Sequence, residues 1–143
     1  MYCRLLLAAI AVSLVFISGS AEAARIVVTV DGMHSAQGNV FIGLYASPGT
    51  FLNGTQCDGY KKVKASTGPI TVAFDNLRPG TYAVGAYHDE NGNAQLDTGP
   101  LGLPIEGYAL SNGVRAVLAK PSFYQAAFTL GDGVKPVSLQ IRY

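Results

Sequence analysis

Apolar and polar residues alternate along most of the chain with a period of two, which predicts strands rather than helices. Ile26-Val27-Val28-Thr29-Val30 is short and β-branched, and reads as the first strand. Val40 to Ala46 is the second. It carries Val40, Ile42 and Leu44 on one face and Phe41, Gly43 and Tyr45 on the other. Both faces are apolar or aromatic, so this strand belongs at the centre of a sheet. Ser47-Pro48-Gly49 breaks it. Tyr60 to Ala65, with Lys61, Lys62 and Lys64, reads as an edge strand kept from pairing by its charge. Ile70 to Phe74 alternates cleanly, and Asp75 to Gly80 turns into Thr81 to His88. There Tyr82, Val84, Ala86 and His88 share one face, and Ala83, Gly85 and Tyr87 the other. Gly113 to Ala119 fits an extended segment or a short helix equally. Phe123 to Leu130 predicts a further strand, and Val137 to Tyr143 the last, with Val137, Leu139, Ile141 and Tyr143 inward. About seven short strands joined by Gly, Pro and Asn turns predict an all-β, immunoglobulin-like or transthyretin-like sandwich.

The first residues do not fit that pattern. Arg4 precedes the charge-free run Leu5 to Ile17, and Ala21-Glu22-Ala23 follows with small-x-small spacing. This predicts a signal peptide over residues 1–23, cleaved before Ala24, and one domain over residues 24–143. The apolar run is too short to span a bilayer, so no membrane span is expected after cleavage. Ten basic and nine acidic residues become nine and eight once Arg4 and Glu22 are removed, so the net charge stays +1. That balance gives no electrostatic reason to expect nucleic acid. Cleavage also removes Cys3 and leaves Cys57 alone, which excludes an intramolecular disulfide.

Chemistry concentrates in one stretch. Asp89, Asn91, Asn93, Gln95 and Asp97 place oxygen atoms at every second position. Calcium loops use positions one, three and five, a backbone carbonyl at seven and a group at nine. Position twelve usually carries a bidentate Glu and is Pro100 here, whereas Glu106 is placed to fold back in its stead. Position six usually carries Gly and is Ala94 here. The same residues also fit a plain turn, because Asn91-Gly92 favours a hairpin and Asx side chains cap their own backbone. Asp89, Asn91, Asn93, Gln95, Asp97 and Glu106 are therefore the candidate calcium ligands.

The segment Phe74-Asp75-Asn76-Leu77-Arg78-Pro79-Gly80-Thr81-Tyr82 resembles the closing turn and strand of transthyretin-like and collagen-adhesin B-type sandwiches. Leu77 would plug the core and Tyr82 pack inward beyond the Pro79-Gly80 turn. His88-Asp89-Glu90-Asn91-Gly92-Asn93, Leu96-Asp97, Leu101 to Tyr108, Ser111-Asn112 and Pro121-Ser122-Phe123 resemble an uncharacterised bacterial family, domain of unknown function 2141. The resemblance covers nearly the whole chain after Ala24 and departs at Ala94, where the family usually has Gly. It implies a secreted or periplasmic sandwich and brings no catalytic residues.

Three functions fit these residues. The favoured one is an exported, non-enzymatic binding or structural module of the bacterial envelope, stabilised by calcium, with an envelope protein or glycan as partner. A small hydrolase of glycan or peptidoglycan would pair His88 with Ser111 or Ser122 beside the loop carboxylates Asp89, Glu90, Asp97 and Glu106. No nucleophile-elbow motif supports that pairing, and His34 lacks the partners of a zinc site. A carbohydrate-binding module would use Tyr87, Tyr108, Phe123 and Tyr124 as a stacking platform, though the same spacing suits ordinary packing.

Overall fold

The computed structural model describes residues 23–54, 56–117 and 119–143. The leader expected over residues 1–23 falls, but for Ala23, outside the described residues. The predicted alternation becomes eight strands: β1 (Ala24–Asp31), β2 (Asn39–Tyr45), β3 (Gly59–Lys64), β4 (Ile70–Leu77), β5 (Gly80–Asp89), β6 (Tyr108–Leu110), β7 (Phe128–Leu130) and β8 (Val134–Gln140). They form a three-stranded sheet in the order β4-β1-β8 and a five-stranded one in the order β3-β2-β5-β6, with β7 also paired to β5. The all-β sandwich is the expected class. β2 lies between β3 and β5, and lysine-rich β3 is an edge, as the pattern required.

The core follows from the period of two. Ile26, Val28 and Val30 of β1 face Val40, Ile42 and Leu44 of β2 and Val84 and Ala86 of β5, all buried in one cluster. The opposite face of the large sheet is covered in part by loops. There Phe51, Ala83, Leu110, Phe123 and Ala126 form a second cluster with Tyr45, Tyr87 and Leu96 against it. Both faces of β2 and β5 are thus packed, which accounts for their near-continuous apolar character.

Leu77 is half-buried and packs against the main core rather than plugging it. Tyr82 packs there too, and its hydroxyl donates to the Arg78 carbonyl at 2.9 Å, clamping the turn. Leu77→Ala is therefore expected to cost about 2 kcal/mol in urea denaturation, the low end for leucine truncation. A loss under half that value would mean the side chain leans on solvent.

Two expectations are corrected. Residues 123–130 are not one strand: Phe123–Ala126 is a helical turn, α1, and only Phe128–Leu130 is extended. A capping box decides this, with the Ser122 amide donating to Gln125 Oε1 at 2.8 Å. Tyr143 does not pack inward; its ring is exposed, although its hydroxyl reaches a buried partner described below. In the Gly113 to Ala119 region, which the sequence left open between extended segment and short helix, Gly113 closes a 3-10 turn over Ser111–Gly113 and the described residues after it have no regular structure.

The edge of β5 is shared between β6 and β7, which leaves the Val84 amide without a ladder partner in the gap. Buried Ser111 fills it. Its hydroxyl accepts from Val84 N at 3.0 Å and donates to the Ala126 carbonyl at 2.6 Å. Among the described residues no helix is long and apolar enough to cross a membrane.

Candidate functional site

Strand β5 ends in His88 and Asp89, both fully buried, and the chain then swings out into the Asx-rich loop. The loop is built around the Asp89 carboxylate. Oδ1 accepts from the Gly92 amide at 2.8 Å and the Asn93 amide at 3.1 Å, and Oδ2 accepts from the Ala94 amide at 3.0 Å. Two further Asx turns follow: Asn91 Oδ1 accepts from Asn93 N at 3.0 Å and Asn93 Oδ1 from Gln95 N at 2.9 Å. Both amide groups also donate to Asp97, Asn91 Nδ2 at 2.6 Å and Asn93 Nδ2 at 2.8 Å. Glu106 does fold back: its Oε2 accepts from the Asp97 amide at 3.0 Å.

Five of the six candidate ligands thus share one hydrogen-bonded cluster through their side chains, and Gln95 joins by its backbone. Burial, and then the charges of Asp97 and Asp89, push the Glu106 carboxyl above its usual range against the bond from the Asp97 amide. Among the described residues no three Asp, Glu, His or Cys side chains converge as a metal cage, so any cation would depend on the asparagine oxygens.

Ala94 adopts a φ of 61°, in the left-handed region that glycine occupies freely. Ala94→Gly is expected to stabilise the fold by about 0.5–1 kcal/mol, because relief of the left-handed strain exceeds the extra freedom given to the unfolded chain. Chemical denaturation reads this directly, and a destabilised variant would show that the Ala94 methyl has a packing role.

His88 is positioned by a network that sequence reasoning missed. Its Nε2 lies 2.7 Å from the Gln37 carbonyl and its Nδ1 2.6 Å from the Tyr143 hydroxyl. A carbonyl can only accept, so Nε2 carries the proton in the neutral ring and Tyr143 donates to Nδ1. His34 stacks on Tyr143 with ring centroids 3.8 Å apart, and its Nε2 lies 2.9 Å from Glu90 Oε2. Ser35 donates to Glu90 Oε1 at 2.5 Å. That hydroxyl, with the His34 ring beside it, holds the Glu90 carboxyl below its usual range. The partners of His88 are Gln37 and Tyr143, and Ser111 is spent on Val84 and Ala126, so the His–Ser pairing that the hydrolase alternative requires does not form. Ser122 bonds within its own capping box.

The outer face of the large sheet holds a cleft of about 890 Å³. Its floor exists because Gly43 of β2 stands directly across from Gly85 of β5. The Tyr45 ring lies over the pair: a Cβ on Gly43 would meet its hydroxyl at 2.9 Å, and one on Gly85 its ring edge at 3.6 Å. Phe41 and Tyr87 stack beside them, 4.9 Å apart and nearly parallel. The walls are formed by Leu52, Gly54, Gln56 and the free Cys57, and by Ala94 to Leu96 of the Asx loop. The Tyr87 hydroxyl donates to the Ala94 carbonyl at 3.1 Å and ties that loop to the sheet. Burial pushes the phenols of Tyr45 and Tyr87 up to about 12, with the charge of Cys57 adding to the first and that of Asp89 to the second. Among the described residues no charged side chain lines the cleft. Of the four aromatics that a carbohydrate platform would have used, Tyr87 and Tyr108 line it. Phe123 is buried in the layer behind, and Tyr124 stands exposed elsewhere.

No curated protein and no solved structure matches this chain. Residues 28–138 match the model of a family described as an uncharacterized protein conserved in bacteria, and the chain belongs to that family, DUF2141.

Proposed function

We propose that the protein is an exported, non-enzymatic binding module of the bacterial envelope, periplasmic or secreted, whose ligand enters the cleft over Gly43 and Gly85. The cleft carries this reading: it has the size and the apolar-with-few-polar lining of a small-ligand site. Export rests on the leader-like residues 1–23. The hydrolase alternative has less support, because His88 is buried with both ring nitrogens engaged. Two measurements test the proposal. The intact mass of the periplasmic protein should begin at Ala24. Amide resonances of Gly43 and Gly85 should shift when glycan or lipid fractions of bacterial envelopes are titrated in. Turnover of peptidoglycan fragments, or a chain that keeps Met1, would overturn it.

A second role belongs to the Asx loop, which we propose holds calcium through Asp89, Asn91, Asn93, the Gln95 carbonyl, Asp97 and Glu106. What favours it is Glu106, whose carboxyl is pushed up by burial first and then by the charges of Asp97 and Asp89. A carboxyl whose folded pKa is raised favours the fold below its unfolded value and loses that contribution as pH rises through the folded one. Above its folded pKa the ionised Glu106 therefore works against the fold, and a bound cation would offset it. With Pro100 at position twelve, the dissociation constant should be on the order of 0.1 mM. About 1 mM calcium would then add roughly 1.4 kcal/mol, raising the melting temperature by about 5 °C. Magnesium should do much less, because its small octahedral shell is harder to supply. Glu106→Gln should melt higher than the parent in chelator and lose most of the calcium response. Coincident melts in calcium, magnesium and chelator would leave the loop as a turn alone.

A further inference from the structure

We propose that the cleft takes a short neutral glycan, with sugar rings lying over the Tyr45–Tyr87 floor; this names the ligand class of the binding site proposed above and rests on that reading. The lining decides the class. Five aromatic rings line the cleft against three leucines, and four of the five rings end in a hydroxyl. Gln56 and Gln95 are also among the lining residues.

An anionic ligand would call for an arginine fork or a lysine in the lining, and none is there among the described residues. Lys62 is nearby, but its ammonium sits 5.2 Å from the Phe41 ring centroid rather than in the cleft lining. An acyl chain would strip water from each phenol and amide it covered and return no hydrogen bond. A pyranose matches both features, since its C–H face lies on aromatic carbon while its hydroxyls reach polar tips at the ring edges.

The hydroxyls are directional as well. Tyr87 Oη already donates to Ala94 O, which leaves it an acceptor for the ligand. Tyr108 Oη already accepts from the Ala116 amide at 2.8 Å, which leaves it a donor. One acceptor and one donor on neighbouring rings suit hydroxyl groups, which do both. The paired glycines make room for the Tyr45 ring, which lies over them and is itself the floor on which a sugar ring would settle.

The test is calorimetric titration of the purified protein with chitotriose, cellotriose and maltotriose as neutral probes. Trigalacturonate is the anionic control and laurate the acyl control. At least one neutral trisaccharide should bind saturably and the controls should not. Tyr60→Ala, at the exposed rim, should weaken binding tenfold or more. A bulky maleimide on Cys57 should block binding without changing the fold, which circular dichroism checks. Tyr124→Ala, which is 75 % exposed and outside the cleft, should bind as the parent does. Binding of laurate or trigalacturonate that the Cys57 label blocks, with no sugar bound, would overturn the ligand class and leave the binding module standing. No binding by any probe, with Gly43 and Gly85 resonances unmoved by envelope fractions, would overturn both.

Discussion

Asp89→Ala is expected to destabilise the fold by about 3–4 kcal/mol, because hydrogen bonds to a charged acceptor are each worth about 1.5–3 kcal/mol. Three backbone amides converge on that one carboxylate, which is fully buried at the end of β5. The total stays below three full bonds because the loop beyond it is exposed, so the freed amides recover some water. Asp89→Asn keeps one carbonyl oxygen and should lose about half as much. This loss is the one read in chelator, since the bonds belong to the backbone turn; in about 1 mM calcium the proposed site would add roughly 1.4 kcal/mol to it. Urea denaturation of both variants measures it. A cost below about 1 kcal/mol would mean that the loop holds its shape without its centre.

His88→Ala should cost about 3–4 kcal/mol, from the cavity left by a buried ring together with two stranded polar groups. The Gln37 carbonyl loses its donor and the Tyr143 hydroxyl its acceptor. Tyr143→Phe removes one of those bonds but keeps the ring stacked on His34, so it should cost about 1 kcal/mol. Were His88 instead a catalytic base, its removal would abolish turnover and leave stability nearly unchanged. Thermal and urea unfolding of the two variants, with peptidoglycan turnover alongside, separates these outcomes.

What could be read from the sequence was what depends on a short period. Strand β2 and strand β5 each place alternate residues on opposite faces, and both faces came out as the alternation required. Residues 123–126 defeated the same logic because Phe-Tyr-Gln-Ala fits either period, and a capping box one residue earlier decided it. β6 has only three residues and no alternation to read. The ligand-like loop was legible because its groups are consecutive. The cleft was not, because it depends on Gly43 meeting Gly85, a cross-strand register fixed only when the sheet assembles. Glycines at outward positions of two central strands were the available signal. The cluster around His88 joins the 34–37 turn and Tyr143 to the end of β5, three places far apart in the chain, and no local pattern links them.

β1 pairs in parallel with β8, so residues 24–31 and 134–140 lie side by side. The contact spans nearly the whole described chain, and its loop-closure entropy must be met before any of its hydrogen bonds form. Folds dominated by such distant pairings assemble in milliseconds to seconds rather than microseconds. β1 can pair with β4 early, but its other edge stays open until β8 arrives. A chain crossing a membrane N-terminus first would therefore present that edge, with Ile26, Val28 and Val30 beside it, to other chains for the whole transit. The interval before β8 docks is the aggregation-prone part of folding and, if the chain is exported as proposed, the point at which a chaperone outside the cytoplasm would matter most.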